Sequence, residues 1–170
     1  MNFKQSYPKE SDTDVPFELD FMRHAQSLAN IGVECINSPL SSNGHEQAAH
    51  VHGHYDIVIT SCLQRAIETL TSSNITYSKH IISDTCREVR AAHCADYMDG
   101  EPHIVETTET LQARIQAFLK LLYSAVDELG NFPGRRVLVI SHAVFIQVVT
   151  NMPDYLHNTE KVRVTLPPRY

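Results

Sequence analysis

Strands that alternate with helices along the chain predict an α/β fold, a three-layer sandwich whose mostly parallel central sheet is flanked by helices on both faces. Two observations carry this expectation. The runs Tyr55–Thr60 and Arg136–Ile140 are rich in β-branched residues and almost continuously apolar, as strands buried on both faces are. Each is followed by a segment with apolar residues at helical spacing, which parallel strands need for their crossover connections. The 170 residues contain no internal repeat and no linker. One domain over residues 17–170 is therefore expected. A chain of this length buries roughly 70% of its unfolded surface, enough for a core without help from disulfides or metals.

The elements follow in order. Residues 1–16 include Lys4, Lys9, Glu10, Asp12 and Asp14 with little apolar content, and are expected to be a mobile polar segment. Phe17–Met22 alternates apolar and acidic residues and reads as a strand ending at Arg23-His24. Leu40–Gly44 is turn-rich, with Ser42 or Asn43 as the cap of a helix over Glu46–His52. After the strand Tyr55–Thr60, Ser61 stands as N-cap for a helix that buries Leu63, Ala66, Ile67 and Leu70. Ile81-Ile82 predicts a further short strand. Thr107–Leu129 is the longest helical pattern, with Leu111, Ile115, Phe118, Leu119, Leu122 and Val126 on one stripe, and Asn131-Phe132-Pro133-Gly134 ends it. Arg136–Ile140 runs into Ser141-His142 and an apolar helix through Val149, and Lys161–Thr165 alternates like an edge strand.

Lys and Arg total 14 against 20 Asp and Glu, a formal net charge of −6. An acidic chain without a basic run binds nucleic acids and anionic membranes poorly, so neither is an expected partner. No apolar run approaches the ~20 residues of a membrane span, and the polar N-terminus lacks the apolar stretch of a signal peptide. A cytoplasmic protein is expected. Cys35, Cys62, Cys86 and Cys94 contain no C-x-x-C pair and read as free thiols. Nothing in the sequence indicates an oligomeric state.

In open parallel sheets, ligands lie beyond the carboxyl ends of the strands. Those ends carry Arg23-His24, then Ser61 with Arg65 one helical turn on, then Ser141-His142. Two arginines and two histidines are thus predicted to share a crevice. Guanidinium forks suit phosphate oxygens, a neutral imidazole can attack phosphorus, and a second can donate a hydrogen bond. A lone Arg or His is more often a solvated charge or a satisfied background residue. Four of them arriving independently at three strand ends is far less probable.

The same residues resemble the histidine phosphatase superfamily in its phosphoglycerate-mutase-like branch. Phe21–Asn30, read as F-M-R-H-A-Q-S-L-A-N, looks like the opening R-H-G-x-x-x-x-N of that family. Leu40-Ser41 with Gly44, Gln47 and Ala48 is similar to its L-T-x-x-G-x-x-Q-A segment, and Ser61–Thr69 matches S-x-L-x-R-A-x-x-T. Arg87-Glu88 fits the position of its acid, without the usual Leu before and Gly after, and Val139–His142 fits the final V-x-S-H-G. The resemblance runs from Phe17 to Val149. Ala25 and Ala143 stand where members often carry Gly; a left-handed backbone there would cost Ala about 1 kcal/mol or more.

The resemblance implies a metal-independent phosphoric monoester hydrolase without a cofactor. His24 attacks phosphorus to give a phosphohistidine that water then hydrolyses. Arg23, Arg65 and a protonated His142 balance the phosphoryl dianion and bind substrate together with Asn30. Glu88 protonates the leaving alkoxide and then activates water, which requires a raised pKa. Mutases of this family use long segments between the acid and the second histidine. Here only residues 89–106 remain to form a lid, so hydrolysis is favoured. The expected partner is a small phosphorylated substrate or a phosphorylated protein. Arg90, His93 and Tyr97 are expected at the pocket rim, where Asp96, Asp99 and Glu101 would repel a multiply anionic substrate. Two other readings stand beside this one. The H-x-H-x-D pattern of His50, His52, His54 and Asp56 is that of a zinc hydrolase, and a catalytically weak family member would bind phosphorylated ligands without turnover.

Overall fold

Strands β1 (Glu18–Arg23), β2 (His52–Ser61), β3 (Asn74–Ser83), β4 (Arg136–Ser141) and β5 (Lys161–Val164) build a sheet in the order β3-β2-β4-β1-β5. Neighbours run parallel except β5, which lies antiparallel to β1. The computed structural model describes residues 15–165, which also hold helices α1 (Ser42–Ala49), α2 (Gln64–Ser72), α3 (Thr108–Leu129) and α4 (Ala143–Thr150). None of these helices is long and apolar enough to cross a membrane.

The period of two along each strand sorts the core into two layers. Leu19, Phe21, Ile57, Ile59, Val137 and Val139 pack against Phe118, Leu122 and Val126 of α3 and Phe145 and Ile146 of α4. On the opposite face Met22, Val58, Leu138 and Ile140 meet Ala66 and Leu70 of α2. Each large apolar side chain buried this way contributes roughly 1.5–3 kcal/mol. The predicted three-layer sandwich is the fold that forms.

Local chemistry shifts several boundaries. Helix α1 begins at Ser42 because Ser41, not Ser42 or Asn43, is its cap, accepting the Gly44 N–H on Oγ at 3.0 Å. It stops at Ala49, and β2 starts at His52, so His52 and His54 are strand residues. Ser61 does not cap α2; Leu63 holds that position, and Ser61 Oγ accepts the Leu63 N–H inside the turn. Helix α3 is capped by Thr107 and Thr110, each side chain bonded to the other's backbone N–H. Of residues 1–16, positions 1–14 lie outside the described residues. Val15 is pinned, its N–H donating to Asn131 Oδ1 at 3.1 Å and its carbonyl accepting from Arg135.

Strand β3 is ten residues long, where hydropathy indicates only Ile81-Ile82. It is an edge strand with a largely exposed outer face, and β2 pairs with it from His52↔Asn74 to Ser61↔Ser83. Backbone pairing rather than apolar content defines it. The same registry places the chemistry. Arg23 lies opposite Ser141 and Thr60 opposite Ile140, so β1, β2 and β4 end level, and the residues that follow them leave the sheet side by side.

Candidate active site

His24 follows β1, and its N–H donates to the Ser141 carbonyl at 3.0 Å. His142 follows β4 as the N-cap of α4, and the two imidazole rings lie 5.1 Å apart, tilted by 55°. His24 Nδ1 is 2.6 Å from the Ala25 carbonyl, and Arg65 Nε is 3.2 Å from His24 Nε2. A carbonyl can only accept and a guanidinium N–H can only donate. Nδ1 therefore carries the proton and Nε2 presents its lone pair toward Arg65. Burial, reinforced by the Arg65 charge, holds the His24 pKa well below its usual value, so the ring is neutral.

His142 is fully buried, and neither of its ring nitrogens has a hydrogen-bond partner among the described residues. The same is true of Arg23 Nε, while Arg23 Nη1 donates to the Leu156 carbonyl at 2.9 Å. Buried polar atoms without partners are rare, and the His142 ring lies directly beside His24. Burial first, then the nearby Arg65, keep the His142 pKa well below its usual value. Without a bound anion, that environment favours the neutral ring. A dianion seated against it would reverse that balance.

Arg65 opens α2 and is almost completely buried. Besides the bond to His24, its Nη1 donates to the Ala95 carbonyl and its Nη2 to Asp96 Oδ1, both at 2.7 Å. Thr69 hydroxyl donates to the Arg65 carbonyl and accepts the Ala25 N–H, tying the first turn of α2 to the residue after His24. Glu88 lies on the far side of the site. Its Oε1 accepts N–H groups from Val89 at 2.8 Å and Phe145 at 3.0 Å, and its Oε2 one from Val144 at 3.2 Å. Burial raises the Glu88 pKa, and these donors offset only part of the rise. The direction is the one a general acid requires.

Residues 19–94 match the family model of the histidine phosphatase superfamily (branch 1). Over that stretch, a little under half of its length, the chain is similar to the histidine phosphatase superfamily. Solved structures of similar fold include a phosphoglycerate mutase from Thermus thermophilus, at 18% identity and a TM-score of 0.64, covering 89% of this chain and 95% of that one. A mycobacterial glucosyl-3-phosphoglycerate phosphatase in complex with VO3 aligns at 18% identity and a TM-score of 0.61, over 87% and 90% of the two chains. The alpha-ribazole phosphatase from Shigella flexneri aligns at 18% identity and a TM-score of 0.60, over 88% and 91%. A search of curated protein sequences finds no match.

The departures of this chain from the family motifs have a structural answer. Among the described residues the only non-glycine positions with positive φ are Asn37, Asn151 and Thr159, so Ala25 and Ala143 are unstrained. Ala25 is fully buried against Leu40 and Ala48. Gly44 is needed for a different reason, since a Cβ there would come within 2.0 Å of the Gln26 carbonyl oxygen in the loop after His24.

Several predicted site residues sit differently from expectation. Asn30 Oδ1 accepts the Ser27 N–H at 2.9 Å and a bond from Asn158 Nδ2 at 3.3 Å, while Asn158 Nδ2 also donates to the His24 carbonyl at 2.9 Å. Asn30 thus braces the loop. Asn158, which no motif marks, touches the His24 backbone directly. The predicted acidic rim is largely neutralised. Asp96 pairs with Arg65, and Glu101 is held by Arg87 at 2.7 Å and Arg90 at 3.1 Å. Those bonds pull the Glu101 carboxyl down to about 2. Tyr97 is buried rather than at the rim, stacked on His103 at 4.4 Å with its hydroxyl on the Ala91 carbonyl.

The zinc-like pattern is dispersed. His50 Nδ1 bonds the Glu46 carbonyl, His54 Nδ1 meets Thr76 Oγ1, and Asp56 accepts the Arg136 N–H. Among the described residues no group of three or more His, Cys, Asp or Glu is placed to hold a metal ion.

Proposed function

We propose that this chain hydrolyses phosphate monoesters through a phosphohistidine on His24, with residues 17–170 acting as one catalytic domain. The observation that carries the reading is the tautomer of His24. The Ala25 carbonyl keeps the ring proton on Nδ1, so Nε2 carries a lone pair that the Arg65 Nε–H contact gives up as phosphorus approaches, beside a buried His142 whose ring nitrogens have no partner among the described residues. The lone pair forms the N–P bond as the ester P–O bond breaks, and Glu88 gives its proton to the departing oxygen. Water then attacks phosphorus, returns a proton to Glu88 and releases phosphate from Nε2. Arg23, Arg65 and His142 stabilise charge on the equatorial oxygens, His142 taking up a proton as the dianion binds. Asn30 adds a neutral hydrogen bond to the substrate from the loop it braces.

Hydrolysis is favoured over phosphoryl transfer between substrate positions. The segment between Glu88 and α3 carries no strand or α-helix, only a single 3-10 turn at Cys94–Asp96. Such a short cover excludes water poorly. Two of the compared structures are phosphatases named for small phosphorylated molecules, which supports a substrate of that class. Four free thiols support a cytoplasmic setting.

Phosphate release from a panel of alkyl phosphates, p-nitrophenyl phosphate and phosphopeptides, measured with chelator present, tests the reading. Turnover should persist in chelator, and acid-quenched enzyme should carry acid-labile, base-stable phosphate on His24. Binding without release would favour the non-catalytic reading, and loss of activity with chelator would favour a metal hydrolase. Glu88→Gln should lower kcat/KM by about 10²–10⁴ for alkyl phosphates and much less for p-nitrophenyl phosphate, whose leaving group needs little proton help.

A further inference from the structure

The Glu88 carboxylate hangs between two supports, the loop it grows from and the first turn of α4. One side chain reaches both. Arg114, on α3, donates from Nη1 to the carbonyls of Thr85 at 3.0 Å and Arg87 at 2.9 Å, and from Nη2 to the Glu88 carbonyl at 3.4 Å. Its guanidinium also lies over the Phe145 ring, 5.2 Å from the centroid, and the Phe145 N–H is one of the donors on Glu88 Oε1. The guanidinium is itself fixed by Glu106. Nε meets Oε1 and Nη2 meets Oε2, both at 2.7 Å, and the Glu106 side chain is completely buried.

We infer that Arg114, held by Glu106, is the positioning residue for Glu88. Its hydrogen bonds go to main-chain carbonyls and to Glu106, not to the phosphoryl space, so it acts through Glu88 rather than on the substrate. The loop needs such a brace. Between β3 and Glu88 the chain has only the 3-10 turn Asp84–Cys86, tied also by Ser141 Oγ donating to the Cys86 carbonyl at 2.6 Å and by the Arg87 side chain on Glu101. A general acid must stand within hydrogen-bond reach of the oxygen it protonates, and a misplacement of about 1 Å can cost on the order of 100-fold in rate. Only a guanidinium has enough donors, in a planar fork, to serve three carbonyls and a bidentate carboxylate together.

The inference rests on the reading of Glu88 as the acid, and the experiment separates the two. Arg114→Lys, Glu106→Gln, Glu88→Gln and the double variant Glu88→Gln/Arg114→Lys are assayed with an alkyl phosphate and with p-nitrophenyl phosphate, alongside vanadate inhibition and thermal unfolding. Arg114→Lys should lower kcat for the alkyl phosphate by about 10–100-fold and for p-nitrophenyl phosphate by no more than about threefold. KM and vanadate inhibition should stay within about twofold of wild type, because phosphoryl binding is untouched. Glu106→Gln should reproduce the pattern more weakly, and it carries the test if Arg114→Lys does not fold. The double variant should be no slower than Glu88→Gln alone, since a misplaced acid cannot matter once the acid is gone. Equal losses on both substrates, no loss on the alkyl phosphate, or losses that multiply in the double variant would each overturn the role of Arg114. If Glu88→Gln itself slows both substrates equally, the assignment of Glu88 fails instead.

Discussion

Replacing Asp96 by Asn probes the contact between Arg65 and the segment after Glu88. Asp96 Oδ1 meets Arg65 Nη2 at 2.7 Å, with the two side chains only 12% and 4% exposed. Burial raises the Asp96 pKa although Arg65 opposes it, and burial lowers the Arg65 pKa although Asp96 opposes it. Desolvation therefore outweighs attraction for both partners, so the pair stabilises the fold weakly as a pair. Removing one charge alone is another matter. An unpaired buried charge costs about 3–5 kcal/mol, and Asn keeps one acceptor for Nη2, so a loss of about 2–3 kcal/mol is expected. For a chain of this size that lowers Tm by about 4–12 °C. A phosphoryl oxygen that seeks Nη2 competes with the Asp96 carboxylate in wild type and with a weaker, neutral amide in the variant. Inorganic phosphate or vanadate should then bind Asp96→Asn roughly tenfold more tightly, a difference of about 1.4 kcal/mol. At a ligand concentration about 100 times the wild-type Kd, thermal stabilisation should be about 2.7 kcal/mol for wild type and about 4.1 for the variant. Thermal unfolding with and without the anion reads both effects. A variant that melts with wild type, or that gains no more from phosphate than wild type does, would refute the reasoning.

His24→Ala should abolish turnover while keeping the fold; a residual rate above about a hundredth of wild type in a phosphate-release assay would rule out the covalent step. Arg65→Lys should recover only part of the phosphate and vanadate affinity lost in Arg65→Ala, because an ammonium cannot bridge two oxygens in one plane; equal affinities in all three proteins would remove Arg65 from the site. Stability should fall as the medium is acidified. His24 and His142 are held below their ordinary 6.5, so the unfolded chain takes protons first, and stability present above that pH is lost below it at up to about 1.4 kcal/mol per pH unit for each ring. Glu88 and Asp96, raised by burial, act in the opposite sense above the usual carboxylate range, so the histidine part is read from denaturant titrations as the wild-type slope minus that of His142→Gln. Gly44→Ala should destabilise the fold by about 2 kcal/mol or more through the clash with the Gln26 carbonyl, seen as a lower denaturation midpoint with unchanged m-value.

How much of this was legible depends on what each residue answers to. The strands β2 and β4 are buried on both faces, so their apolar runs announced them, β1 showed as an alternation, and the strand-end rule then brought Arg23, His24, Arg65 and His142 together. β3 stayed hidden because an edge strand may be polar on its outer face and is defined by its partner's backbone. Ser41 and Ser42 are chemically alike, and only the geometry of the Gly44 N–H chooses between them. The contacts of Asn158 and Arg114, and the pairing of Asp96 with Arg65, could not be read. Asn158 reaches the His24 carbonyl across 134 residues, Asp96 reaches Arg65 across 31 and Arg114 reaches the Glu88 carbonyl across 26, and nothing in a local pattern records a contact of that kind.

The pairing of β1 with β4 has a kinetic consequence. Glu18 and Arg136 stand 118 residues apart, yet their strands are direct neighbours in the middle of the sheet. No early, local stage of folding can bring His24 and His142 face to face, because closing so long a loop is entropically expensive and is compensated only when the central strands zip together. The histidine pair is thus expected to come into being with the rate-limiting, long-range step and not before it. During refolding from denaturant, recovery of the proposed phosphatase activity should track the slowest native signal of the core, while helix content around α3, a local element, returns earlier.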